Sequence, residues 1–157
     1  MKAFIRRDVE EALRVLGVVA SKLDEPEARA VRERAARTFG DGSSTLVHWN
    51  HLREYSAVQH PDSWEWVGEF VRGPAYLFFD ERDEPSVFLF REGQRIRDVL
   101  EECAGFEFYI CDPECTYLLC NNDQDYLFGV RKAQPWVESL RPRHDEWARS
   151  LAHGKNS

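Results

Sequence analysis

The residues with the richest chemistry are four cysteines, five histidines and a large excess of carboxylates. Cys111, Cys115 and Cys120 are spaced by four and five residues, with Cys103 upstream. A structural zinc site usually needs a short paired spacing on a knuckle, such as Cys-x2-Cys, to close a tetrahedron. Cys111 and Cys115 flank a tight turn and can approach each other, but Cys120 falls at the far end of its strand. Buried or half-buried thiols are the simpler expectation. His48, His51 and Glu54 would share one face only if their stretch is helical, and His60 is not obviously near. The alternation Asn121, Asp123, Asp125 imitates the start of a calcium loop. It then fails, because Tyr126 stands where the sharp turn needs Gly and Lys132 where the bidentate acid should be. No metal and no cofactor is therefore expected.

Phosphate-cradling glycine loops of the Gly-x4-Gly-Lys-Ser/Thr and Gly-x-Gly-x2-Gly kinds are absent, as is a Gly-x-Ser-x-Gly nucleophile elbow. No local motif selects a cysteine–histidine pair for nucleophilic catalysis. The carboxylates are informative in another way. The net charge of −7 is unevenly spread: residues 1–45 carry +1, residues 46–130 carry −11, and residues 131–157 carry +3. Such a field repels a phosphate backbone, whose affinity rests on Lys and Arg displacing counterions. It equally disfavours an anionic membrane surface. A basic protein would be steered in. The acids expected to meet it are Asp80, Glu81, Asp83 and Glu84 in one turn, and Asp123 and Asp125 in another. An acidic surface that only keeps the protein soluble is the plain alternative.

The elements must place these turns. The 157 residues suit one domain over 1–153, with 154–157 as a frayed tail. Val9, Leu13, Leu16 and Ala20 recur at helical spacing and predict a helix over 8–23, with Asp8 and Glu11 as a capping box. Pro26 to Phe39 forms a second helix, capped by Asp24 or Glu25 and ended by Gly40. The stretch from Leu46 to Val58 stays open between helix and strand. Asp62 and Glu65 predict a short helix from Ser63 to Val71. Five strands follow, at 75–79, 86–90, 106–111, 115–120 and 126–130, with a helix over 94–104 joining two hairpins. A short helix from Pro135 to Leu140 is broken at Arg141-Pro142, and a last turn or two follows from Asp145. The fold class is α+β, helices first and then a mainly antiparallel sheet. The longest apolar stretch, Val15 to Ala20, is far short of a membrane span. Asp8, Glu10 and Glu11 interrupt any secretory core, so a cytoplasmic address is expected, with the cysteines kept reduced.

One segment resembles a known family. Glu102-Cys103-Ala104-Gly105-Phe106-Glu107-Phe108-Tyr109-Ile110, followed by Tyr117-Leu118-Leu119-Cys120-Asn121-Asn122-Asp123-Gln124-Asp125-Tyr126-Leu127-Phe128-Gly129-Val130, is similar to small bacterial proteins catalogued only as a domain of unknown function. The likeness extends to a tryptophan-rich first half, here Trp49 through Trp66, and to the strand Tyr76-Leu77-Phe78-Phe79. It covers about residues 45–140 and implies a small intracellular α+β protein without assigned catalytic residues. Many members of that family have two histidines before an Asp in the last turn. This chain has Asp123-Gln124 before Asp125 instead, so no histidine role carries over.

The sequence thus points to a non-enzymatic acidic binding module. By analogy of size, charge and class it is an immunity or antitoxin-like protein against a basic partner. Two alternatives stand beside it. One is a small metal-dependent or cysteine/histidine hydrolase using His48, His51 or the cysteines. The other is a small-ligand sensor with an aromatic pocket from Trp49, Trp64 and Trp66.

Overall fold

A computed structural model describes residues 4–44 and 47–155. Its centre is one seven-stranded sheet in which all six neighbouring pairs run antiparallel. The strands are β1 (Ala20–Lys22), β2 (Tyr55–Gln59), β3 (Ala75–Phe78), β4 (Phe88–Phe90), β5 (Phe108–Cys111), β6 (Tyr117–Asn121) and β7 (Tyr126–Arg131), in the order β1-β4-β3-β5-β6-β7-β2. The helices are α1 (Phe4–Leu16), α2 (Glu25–Phe39), α3 (Val67–Phe70), α4 (Ile96–Glu101), α5 (Ala133–Glu138) and α6 (Arg141–Lys155).

The α+β class holds, but the sheet has seven strands where the sequence predicts five. Both additions are at its edges. The first helix stops at Leu16 because Gly17 turns left-handed (φ +65°), and Ala20 to Lys22 then pairs with β4. A three-residue strand carries too little pattern to stand out from the helical periodicity before it. The open stretch before Val58 becomes a 3₁₀ turn at Trp49–His51 and then β2, which pairs with β7 along its whole length. Asp8 is inside α1 and not at its start, and its carboxylate accepts from the Ala104 N–H at 3.4 Å. Ser63–Trp66 and Gly93–Arg95 are 3₁₀ turns leading into α3 and α4, so both predicted helices are shorter and tighter. Pro142 stands in the first turn of the 15-residue α6, where its missing N–H costs nothing, so it starts a helix longer than the turn or two predicted. That helix includes Gly154 and Lys155 of the expected tail; residues 156 and 157 lie outside the described residues.

Period-two alternation gives the sheet two buried faces. Leu77, Phe108, Ile110, Leu119 and Leu127 face a layer made by α1, α3, α4 and α5. Phe78, Tyr109, Cys111, Leu118, Cys120, Phe128 and Val130 face α2 and the loop carrying Val47, Trp49 and Leu52. Every residue of β5 and β6 is buried. Asp24 caps α2 by accepting from the Glu27 N–H at 2.9 Å, and Ala28, Ala35, Ala36 and Phe39 form the stripe it presents. Among the described residues, no helix is long and apolar enough to cross a membrane.

α5 lies so close to β7 that a Cβ at Gly129 would stand 2.5 Å from Val137 Cγ2 and 2.7 Å from the Ala133 carbonyl oxygen. Gly129→Ala is therefore expected to lower stability by about 1–3 kcal/mol, the range for overpacking a core. A urea midpoint that does not move would show that this contact gives way freely.

Candidate acidic binding site

Four chain segments reach the same end of the sheet: the end of β3, the start of β5, the end of β6 and the start of β7. The two acidic turns singled out from the sequence, 80–84 and 121–125, therefore share that end. Alternation sets which face their flanking residues take. Tyr109 faces α2, so Glu107, two residues earlier, leaves the strand on the same side. Phe78 faces α2, so Asp80 does too.

The first turn is built by its own acids. Asp80 is buried, and its carboxylate accepts from the Arg82 N–H at 3.0 Å and from Arg82 Nε and Nη2 at 2.9 and 2.6 Å. The guanidinium holds Asp80 below its ordinary pKa against the opposing effect of burial. Glu81 takes Arg32 Nε of α2 at 2.7 Å, and Arg32 also donates to the Pro85 carbonyl. Glu84 is buried and accepts from the Ser86 N–H at 3.1 Å. Asp83 is half-buried, while Asp123 and Asp125 are exposed. Asp125 adopts a left-handed conformation (φ +64°) as part of the turn. Of the six acids expected to meet a partner, two are thus neutralised in place by arginines and a third is enclosed.

Sequence reasoning missed Glu107. It is half-buried and has no ion-pair partner among the described residues. Its Oε2 accepts weakly from the Tyr109 hydroxyl at 3.4 Å, and that hydroxyl accepts from the Trp49 N–H at 3.3 Å. Burial, and then the nearby charges of Asp123, Asp80 and Asp83, push its carboxyl up to about 7. A Glu between two aromatics in a strand pattern was the signal available, since an inward-pointing carboxylate needs a reason.

His48 completes the cluster. One ring nitrogen of His48 and one oxygen each of Asp80 and Glu107 lie within 4.8 Å of one another; among the described residues no other trio of potential ligands does so. Burial lowers the His48 pKa and favours the neutral ring. Nδ1 accepts from the Asn50 N–H at 3.1 Å, which places the ring proton on Nε2. A metal ligand needs a free lone pair, and here one nitrogen is occupied and the other protonated. The donor set therefore fits a metal poorly until the Asn50 bond is given up.

His51 stays beside His48, with ring centroids 5.9 Å apart, but its Nδ1 meets Ser43 Oγ (2.8 Å); Glu54 is left-handed (φ +51°) and does not join them on a helical face. His60 accepts from the Asp62 N–H and packs at a tilt against Trp66, ring centroids 4.7 Å apart. Asn121 points to the opposite face and donates to Ser63 Oγ at 2.8 Å, so no calcium loop forms at 121–125. Trp49 packs on Phe128 on the α2 face, whereas Trp64 and Trp66 belong to the other face. The sheet therefore keeps the three tryptophans from lining one pocket. Trp64 instead borders a separate hollow of about 260 Å³ with Leu100, Cys103, Phe106 and Phe108.

No family model matches the chain, and no curated protein and no solved structure is found to be similar to it.

A carboxyl raised from 4.5 to about 7 favours folding below pH 4.5, and that contribution is lost as the pH rises through 7. Removing the charge removes this dependence. Urea midpoints of Glu107→Gln minus those of the parent protein should grow from pH 4.5 to 7 and level off above it. A flat difference would mean that Glu107 titrates as an ordinary surface acid.

Proposed function

We propose that the protein is a non-enzymatic binding module whose acidic sheet end receives a basic side chain of a protein partner, in the manner of an immunity or antitoxin protein. The observation that carries this is the half-buried Glu107 among Asp80, Asp83 and Asp123, with Arg82 already committed to Asp80. An incoming guanidinium or ammonium group supplies the missing counter-charge. Asp123 and Asp125 form the exposed rim that first meets the partner, and they raise its rate of encounter. Asp80 and Glu81 have a different part: their arginines fix the turn, so the site is preorganised and little ordering cost falls on binding.

A cation beside Glu107 lowers its pKa, so binding expels a proton. Affinity then rises with pH up to about 7 and is level above that. Affinity purification from the source cells at low salt should recover a stoichiometric basic protein, with less at pH 6 than at pH 7.5 and less as salt rises. Glu107→Gln combined with Asp123→Asn should weaken the complex by at least about tenfold, as for loss of buried charge complementarity. Recovery of no stoichiometric protein, or binding unchanged in the double variant, would refute the proposal.

A second reading, a metal-dependent enzyme at the His48–Asp80–Glu107 trio, requires His48 to give up the Asn50 N–H bond before an ion can enter. Its test is elemental analysis of the purified protein. Less than about a tenth of an equivalent of zinc or other transition metal discards it, because a resident ion that contributes to folding is retained on purification.

A further inference from the structure

At the opposite end of the sheet from the acidic site, the β5–β6 turn holds two of the four thiols next to each other. We propose that Cys111 and Cys115 are a two-thiol redox site, in which a hydroperoxide oxidises Cys115 and Cys111 resolves it as a disulfide across the turn.

The turn is unusually well tied. The Asp112 carboxylate accepts from the Thr116 N–H at 2.7 Å, the Thr116 hydroxyl at 2.5 Å and the Tyr117 N–H at 3.2 Å. Its carbonyl accepts from the Cys115 N–H at 3.0 Å. Cys115 itself is left-handed (φ +55°), a conformation that a non-glycine residue adopts only under constraint. Across this turn both side chains enter the same buried cluster against α2, where each thiol acts on the protonation of the other. The layer above adds to this. Arg34 of α2 donates to the Pro113 carbonyl at 2.9 Å, which places its guanidinium beside the turn, and Thr38 also acts to lower the Cys115 pKa.

These contacts make the two thiols unequal. The Cys111 hydrogen bond and the Arg34 charge bring Cys115 down to about 7, against the effect of burial, while Cys111 is held well above the ordinary range as the donor. Cys115 is 6% exposed and Cys111 is fully enclosed, so of the pair Cys115 is the one nearer the surface. The other thiols lack these features. Cys120 is fully buried and held high, and Cys103 donates to the Val99 carbonyl at 3.2 Å and is pushed up to about 12.

The chemistry balances with a hydroperoxide as the only co-reactant. The Cys115 thiolate attacks the outer oxygen, the O–O bond breaks, and sulfenic acid and an alkoxide or hydroxide form. Cys111 then loses its proton and attacks the Cys115 sulfur. The S–O bond breaks, the departing hydroxide takes that proton to leave as water, and the S–S bond forms. Two electrons pass from the thiol pair to the peroxide.

The test uses the intact folded protein with hydrogen peroxide near neutral pH. The parent protein should lose about 2 Da, the two thiol hydrogens, and a reductant should restore it. Peptide mapping should place the bridge between Cys111 and Cys115. Cys111→Ser should stop at a sulfenic acid on residue 115, trapped by dimedone, and Cys115→Ser should not form the bridge. Four free thiols under conditions that oxidise glutathione in the same tube would overturn the proposal, as would dimedone capture at Cys103 or Cys120 instead. Because the parent protein alone gives the mass and the map, a misfolded variant does not obscure the outcome.

Discussion

The structure depends on β5 and β6 being buried on both faces. A strand in that position leaves its ladder only at its ends, and whatever polar groups stand there inherit the dry surroundings of the core. Glu107 stands at one end and Cys111 at the other. The polar chemistry of the molecule therefore gathers at the two ends of one central strand. Burial leads the rise of Glu107, while Cys111 is held high first by its interaction with Cys115 and then by burial.

The two ends differ in how the offset is arranged. At the Glu107 end the surrounding groups are acids, and the one arginine nearby is fully engaged by Asp80. The site is short of positive charge, and its neutral state is the cheapest one available. At the Cys111 end the neighbours are a thiol donor, a hydroxyl donor and Arg34, all of which favour an anion on Cys115. α2 separates the two environments by supplying Arg32 to one turn and Arg34 to the other. What reads in sequence as a solvated run of arginines is in part a set of staples from helix to sheet turns.

Much of the architecture was legible because it rests on strong local signals. Asp24, Pro26 and Gly40 bound α2, and alternating aromatics mark β3 to β7. The edge strands were not legible. β1 has three residues and follows a helix whose periodicity runs into it, and β2 is specified mainly by its partner β7. The charge asymmetry was legible as a sum, but its distribution was not. Whether Asp80 is a free acid or half of an ion pair depends on where Arg82 folds back. Whether Glu81 is free depends on Arg32, 49 residues away. Glu107 was hidden for the opposite reason: its neighbours in sequence are phenylalanines, and its charged neighbours come from two other segments, the 80–84 and 121–125 turns.

That distinction bears on how a net charge should be interpreted. Six of the 17 acids between residues 46 and 130 are ion-paired to arginines: Glu65, Glu69, Asp80, Glu81, Asp98 and Glu101. Paired acids on a surface contribute little long-range field, since each carries its counter-charge within a few ångströms. The potential that steers a cation comes from those left over, and their placement matters more than their number. Asp83, Glu107 and Asp123 converge from three turns onto one sheet end, and two of them, Asp83 and Glu107, are half-buried, where charge is screened least. A cation reaching that point exchanges an uncharged carboxyl for a close ion pair. This gain is local and pH-dependent, and a diffuse acidic surface would not provide it.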